Sequence, residues 1–208
     1  AGDPVSLCVE VGNAAWLTAS GLFFLDGTDG IRITDRAILA EDPALVFHPP
    51  VLALGIGCER GVGATEVIDL VEKTLADADL APGAVACVVS VDVKADEAAL
   101  HAVAAHLAVP ARFFSPARLE AETPRLANPS DIVFAEVGCH GVAEGSALAA
   151  VGRDGVLVVA KQKSKRVTCA IGRAVAPLNP TEIGVKRGSL SVVGIGPGSP
   201  AWRAPAVT

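Results

Sequence analysis

From residue 51 onwards, apolar runs of strand length alternate with amphipathic segments of helical length. Residues 51–57 form a continuous apolar run, and residues 86–93 predict a second strand; such runs are typical of strands buried on both faces. After each run, apolar side chains recur at helical spacing. They are Val67, Ile68, Val71, Leu75 and Ala78, and then Leu100, Val103, Ala104 and Leu107. With a third strand at residues 111–115, this order predicts an α/β sheet with helices on both faces.

The following segment extends the same domain. Residues 130–151 have a helical pattern that is interrupted at residues 138–141. Residues 156–160 and 167–171 predict two strands around a polar turn, a hairpin that closes the sheet. The predicted fold class is a three-layer α/β/α sandwich with a mostly parallel or mixed sheet.

The flanks differ from this central domain, which we place at residues 50–175. Short β-prone runs at 5–11, 30–35 and 45–48 predict a strand-rich flank over residues 1–49. Residues 176–187 contain two prolines and mixed polarity, which predicts a linker, and residues 188–208 begin a new strand and then stop. The chain has no methionine. We therefore expect a fragment of a longer polypeptide.

Composition excludes several classes of protein. With 51% hydrophobic and 19% charged residues, the chain can bury a core and is not expected to be disordered. A net charge of −6 argues against a nucleic-acid partner. No apolar run approaches the ~20 residues of a membrane span and no signal peptide is evident, so we expect a cytoplasmic protein without a membrane partner. The five cysteines form no CxxC pair and His101 and His106 are five residues apart, so no metal site is expected.

A glycine-rich loop at residues 55–63 joins the first buried strand to the first helix. Such a turn presents backbone N–H groups at the positive end of a helix and can hold an anion, which makes Gly57, Gly61 and Gly63 candidate ligand-binding residues. Arg60 would add a charge-assisted bond. Cys58 could act as a nucleophile if its pKa is depressed there. The alternatives are a tight turn that needs small residues and a cysteine that is merely buried.

Two further candidate sites lie at strand and helix ends. Asp92 and Lys94 follow the second strand, and so are expected at the same edge of the sheet as the glycine loop. His140 and Glu144 belong to a glycine-framed helix start and could transfer protons. Glu144 could equally be a partner for the helix dipole. We predict that the glycine loop, Lys94 and the start of the Glu144 helix line one cleft.

A cationic run distinguishes the hairpin in an acidic chain. Between residues 155 and 181 there are five positive residues and no aspartate or glutamate: Lys161, Lys163, Lys165, Arg166 and Arg173. The run is either a solvated turn or a patch for an anionic partner, with Lys161 and Lys163 as candidate ligand-binding residues.

In order and spacing, the segments GIGCERG, SVDVKADE, RFFS, NPSDIV, GVAE, KQKS and AIGR resemble the C-terminal domain of cobalamin biosynthesis protein G, the CbiG/CobE family. Residues 3–48 resemble part of that protein's central region. His140 stands where the family's pattern has a proline. Residues 188–199 resemble the first strand and glycine loop of a tetrapyrrole (precorrin) methyltransferase, an enzyme that uses S-adenosylmethionine. The resemblance therefore implies a fusion of the two proteins.

The resemblance implies a role in cobalamin (vitamin B12) biosynthesis. Full-length members open the ring-A lactone of cobalt-precorrin-5A and release acetaldehyde, so the implied partners are a precorrin or cobalt-precorrin and other corrin-pathway enzymes. Lactone opening needs an activated water and a donor for the developing oxyanion. Lys94 and the N–H groups of the glycine loop would be donors, and Asp92 or Glu144 would be the base. The domain itself is expected to need no cofactor.

Two alternatives to an enzyme stay open. One is a non-catalytic module that binds the intermediate or hands it over to the fused methyltransferase. The other is a nucleotide-binding regulatory domain that uses the same glycine loop.

Overall fold

The N-terminal part of the molecule is a small parallel sheet. The computed structural model describes residues 5–21, 23–25, 30–38 and 45–188. Strands β1 (Val5–Val9), β2 (Phe23–Leu25), β3 (Ile31–Ile33) and β4 (Leu45–Phe47) pair in the order β2-β1-β3-β4, and a short helix α1 (Ala15–Thr18) connects β1 to β2. The flank is therefore strand-rich as expected, although the sequence pattern did not predict β2.

The main body is built on a five-stranded mixed sheet. Its strands are β5 (Leu52–Cys58), β6 (Val85–Val91), β7 (Ala111–Phe114), β8 (Val156–Lys163) and β9 (Val167–Arg173), in the order β7-β6-β5-β9-β8. Strands β5, β6 and β7 are parallel, whereas β9 pairs antiparallel with both β5 and β8. The predicted closing hairpin is confirmed, and both of its strands extend beyond the predicted limits.

Helices cover both faces of this sheet. Helices α2 (Ala64–Asp77) and α3 (Ala98–His106) pack against one face in a core that includes Val67, Val71 and Leu100. Helices α4 (Pro116–Glu120) and α6 (Val142–Val151) cover the other face, with Leu119 and Val151 in a second core. Helix α5 (Asp131–Val137) has no buried residue. The α/β sandwich with a mixed sheet is thus confirmed, and so is the interruption between α5 and α6.

Close packing fixes the start of α6 over the end of β5. A Cβ atom at Gly55 would overlap the carbonyl oxygen of Ala143, and one at Gly172 would lie 2.9 Å from the carbonyl oxygen of Ala147. Glycine at these two strand positions lets the helix backbone approach the sheet directly. As a result, the first turn of α6 and the last residues of β5 meet at the carboxyl edge of the sheet.

Hydrogen bonds join the flanking segments to the main body. The guanidinium of Arg173, the last residue of β9, donates to the buried carboxylate of Asp35, which lies just after β3. Residues 176–187, predicted as a linker, pack on strand β7: Val185 pairs with Phe113, and Arg112 donates to the carbonyl oxygens of residues 181, 183 and 184.

Residues 189–208 lie outside the described residues, so the expected start of a methyltransferase stays a prediction. No helix within residues 5–21 and 45–188 has the length and apolar character needed to cross a bilayer.

Candidate functional site

A cleft of about 510 Å³ opens at the carboxyl edge of β5 and β6, between the start of α6 and the β8–β9 hairpin. Seven of the predicted site residues line it: Gly57, Cys58, Arg60, Lys94, Glu144, Lys161 and Lys163. The prediction that the glycine loop, Lys94 and the Glu144 helix share one cleft is confirmed. The glycine loop and Lys94 lie together because the parallel strands β5 and β6 end at the same edge of the sheet. The start of α6 joins them because Gly55 and Gly172 let this helix pack directly on the sheet.

Three predicted residues are not among those that line the cleft: Asp92, Gly61 and Gly63. Asp92 is exposed in a single 3-10 turn after β6. Gly61 has a φ of +67°, and its N–H donates to the Glu97 carboxylate (3.0 Å). The N–H of Glu59 likewise donates to a carbonyl of the hairpin. Two amides of the loop are therefore bonded within the protein, and the cations of the cleft are better placed than the loop to hold an anion.

One wall of the cleft is cationic. Its positive residues are Arg60, Lys94, Lys161, Lys163, Lys165 and Arg166, against three carboxylates in the same lining, Glu59, Glu136 and Glu144. The run predicted from the sequence therefore faces the cleft, except for Arg173, which lies at the other end of β9. The cleft has a net positive charge in a protein whose overall charge is −6.

Only some of these cations are neutralised by neighbours. Arg60 pairs with Asp96 (2.9 Å) and Arg166 with Glu59 (2.8 Å). Within the described part of the chain, the ammonium groups of Lys94, Lys163 and Lys165 have no carboxylate at ion-pair distance. These three are the cations most available to a ligand.

Apolar side chains line another part of the cleft. Val133 and Val137 of α5 and Val142 of α6 line it, and α5 also carries the exposed side chains of Ile132 and Phe134. The ring of Phe134 stacks on His140, with ring centroids 4.5 Å apart. Helix α5 is held at its ends by a Ser130 cap and by a left-handed residue at position 138. The cleft therefore offers both charged groups and apolar surface.

Glu144 is buried at the inner end of the cleft and its carboxylate is fully hydrogen-bonded. Oε2 accepts from the N–H groups of Ala127 (2.8 Å) and Asn128 (2.9 Å), and Oε1 accepts from Asn128 Nδ2 (2.8 Å) and the Lys161 N–H (2.8 Å). Burial raises the pKa of Glu144, but these hydrogen bonds lower it by more, so the pKa lies below its ordinary value. Two carboxylate oxygens accept about four bonds. Glu144 therefore has no free lone pair for the predicted role of base, and it holds residues 127–128 and β8 in place.

Cys58, at the end of β5, is half-buried in the cleft. Burial raises the pKa of its thiol by more than nearby Lys94 lowers it. The depressed pKa that a nucleophilic Cys58 would need is therefore absent, which favours the alternative of a cysteine that is merely buried. The thiol is protonated at neutral pH and is a poor nucleophile.

His140 and Glu120 form a pair that the sequence analysis did not identify. Nδ1 of His140 lies 3.0 Å from both carboxylate oxygens of Glu120, which also accepts the His140 backbone N–H. The hydrogen bond from the imidazole is the main cause that lowers the pKa of the Glu120 carboxyl. The only sequence signal was the histidine within the glycine-framed helix start, because Glu120 lies on a separate helix. Among the described residues, no group of three or more metal-binding side chains is present.

Comparisons with known proteins agree with this geometry. A family model described as "Cobalamin synthesis G C-terminus" matches residues 52–172. The chain is 57% identical over 120 residues to Protein CobE of Sinorhizobium sp., a match that covers 58% of this chain and 78% of that protein. A crystal structure of CobE, a protein from the cobalamin biosynthetic pathway, superimposes with a TM-score of 0.56 at 37% identity, over 59% of this chain and 89% of that one.

A longer relative is also similar. The chain is 33% identical over 144 residues to the cobalt-precorrin-5A hydrolase of Priestia megaterium. That match covers 67% of this chain but 38% of the hydrolase, so the chain spans little more than a third of that enzyme.

Proposed function

The chain belongs to the cobalamin synthesis G C-terminus family, and from this premise we propose that its cleft binds a precorrin or cobalt-precorrin intermediate of cobalamin biosynthesis. We further propose that it acts there in opening the ring-A lactone, with release of acetaldehyde. The second proposal takes up the hydrolase activity for which the longer relative, the cobalt-precorrin-5A hydrolase, is named.

The observation that supports binding is that both cations without a carboxylate partner and apolar side chains line the cleft. A corrin-ring intermediate has an apolar macrocycle with acetate and propionate carboxylates at its edge. Its face suits the valines of α5 and α6, and its carboxylates suit the lysines of the cleft. A volume of about 510 Å³ is in the range of small-molecule sites. The cleft would hold one side of the macrocycle.

Lactone opening adds two requirements, a group that activates water and a donor for the developing oxyanion. Lys94 lines the cleft and its ammonium has no carboxylate at ion-pair distance among the described residues, so it is the donor that we favour. Neither Glu144 nor Cys58 fits the first requirement. The Glu144 carboxylate has no free lone pair, and burial keeps the Cys58 thiol protonated.

Binding is tested with cobalt-precorrin-5A and with uroporphyrin, a stable tetrapyrrole polycarboxylate. The double variant Lys94→Ala/Lys163→Ala removes two cations without breaking an ion pair. It should bind both ligands about fivefold to a hundredfold more weakly, or roughly 1–3 kcal/mol for charge-assisted bonds in a partly desolvated cleft. Affinity should also fall as salt rises.

The matched control is Arg153→Ala/Lys186→Ala, which removes two exposed cations outside the cleft. It should bind as the wild type does. The methyl ester of uroporphyrin, which lacks the carboxylates, should bind weakly to every variant. Equal affinity in both double variants would refute the proposed site, and tight binding of ATP that displaces uroporphyrin would favour the nucleotide-binding alternative.

A further inference from the structure

His140 also lines the cleft, and its imidazole can take up a proton. We propose that His140 is the base that activates water for lactone opening, and that Glu120 is the residue that positions it. This inference rests on the proposed function, because it assigns a role within the same cleft, and it applies to this chain in particular, because the family's pattern has a proline in place of His140.

Three contacts fix the imidazole. Glu120 lies 3.0 Å from Nδ1, and Phe134 stacks on the ring. With Nδ1–H donating to Glu120, Nε2 carries the lone pair. Nε2 lies 3.5 Å from a carboxylate oxygen of Asp131, whose side chain is fully exposed at the start of α5. The imidazolium that forms when Nε2 takes a proton would therefore face a carboxylate on each side.

The other cleft groups that could accept a proton are less suitable. Glu144 already accepts four hydrogen bonds, and Glu59 is paired with Arg166. Burial keeps the Cys58 thiol protonated. Glu136 is exposed at the rim, and no polar group within the described residues positions its carboxylate. His140 alone combines a free lone pair with a fixed orientation.

The proposed step balances within the cleft. Nε2 of His140 takes one proton from water, and the resulting hydroxide adds to the lactone carbonyl carbon. Lys94 donates a hydrogen bond to the oxyanion of the tetrahedral intermediate. The ring C–O bond then breaks, and the imidazolium returns its proton to the leaving alkoxide. The products are a carboxylic acid, which ionises, and an alcohol, with the histidine restored.

The test measures binding and turnover of cobalt-precorrin-5A separately on the full chain. His140→Gln keeps a polar side chain of similar length but cannot act as a base. Its turnover should fall about a hundredfold to ten-thousandfold, the usual contribution of a general base, while its Kd stays within about twofold of wild type. Added imidazole should restore part of the turnover of His140→Ala. Glu120→Gln should lower kcat with little change in Kd.

The matched control is His106→Gln, because His106 also pairs with a glutamate (Glu72, 2.8 Å) but lies on α3 away from the cleft. It should turn over as the wild type does. Unchanged turnover in His140→Gln would overturn the assignment of the base and leave the proposed function intact. Wild-type binding without turnover would also overturn it and would leave a binding module. Absence of wild-type binding would refute the proposed function itself.

Discussion

Replacing Glu144 with glutamine should destabilise the fold more than any neutral change at the surface. Glutamine keeps one acceptor oxygen and puts an NH₂ group in place of the other. Four N–H groups, from residues 127, 128 and 161, donate to the Glu144 carboxylate. In the variant, two of them would face the NH₂ group instead of an acceptor oxygen. Because a charge-assisted hydrogen bond contributes roughly 1.5–3 kcal/mol and loss of the buried charge relieves part of its desolvation, we expect a net cost of about 2–4 kcal/mol at pH 7.

The dependence of this cost on pH is a second test. The pKa of Glu144 is lower in the folded protein than in the unfolded chain. The contribution of the Glu144 carboxylate to the free energy of unfolding is therefore complete above the pKa of glutamate in the unfolded chain, about 4.3. It is lost as the pH falls through the pKa of Glu144 in the folded protein. The difference in unfolding free energy between wild type and Glu144→Gln should accordingly be constant from pH 6 to 8 and shrink below about pH 4.

Urea unfolding followed by circular dichroism measures both effects. Glu136→Gln is the matched control, because this carboxylate lines the same cleft but is exposed. It should change stability by no more than about 0.5 kcal/mol. If Glu144→Gln is as stable as the wild type at pH 7, or if the gap between them persists in acid, then the four hydrogen bonds do not carry the stability that we assign to them.

Three further predictions follow from the packing and the charges. Gly55→Ala should lower the free energy of unfolding, measured with urea, by about 1–3 kcal/mol, because the added Cβ would overlap a backbone carbonyl of α6. Gly63→Ala, which has no atom within 4 Å of its Cβ, should be tolerated, and equal stability of the two would contradict the packing. Alkylation of Cys58 should still accelerate with pH above about 8.5, the ordinary thiol pKa, whereas a plateau near pH 7 would refute the burial argument. Arg173→Ala should cost about 3–5 kcal/mol by leaving buried Asp35 unpaired. The double variant Arg173→Ala/Asp35→Ala should lose less stability than Arg173→Ala alone. An equal loss of stability in the two variants would argue against the Arg173–Asp35 pair.

The sequence was sufficient to predict the five strands of the main sheet and helices α2, α3, α5 and α6, but not the short helix α4. Strand β5 was predictable because a strand buried on both faces must be apolar throughout, and α2 because one side of it faces the core. Strand β2 was not predicted, whereas β3 and β4, which are equally short, lie within the β-prone runs predicted at residues 30–35 and 45–48.

The cleft was predictable only in part. The glycine loop and Lys94 could be placed together because parallel strands end at one edge of a sheet. The state of Glu144 could not be predicted, since its donors come from residues 127–128 and from β8, which only the tertiary fold brings to α6. The pair of Glu120 and His140 was missed for the same reason. Burial at Cys58, rather than local charge, decided the direction of its pKa shift.

The insertion of β9 between β5 and β8 has a consequence for synthesis on the ribosome. Strand β5 pairs with β9 along its whole length, from Leu52 with Arg173 to Cys58 with Val167. Until residue 173 has emerged from the exit tunnel, the apolar β5 is an unpaired edge that invites aggregation, and the cationic hairpin is missing from the cleft. A nascent chain that has reached only residue 155 therefore contains most of the sheet but only part of the cleft, and the ligand binding that we propose would begin only when translation of the domain is nearly complete.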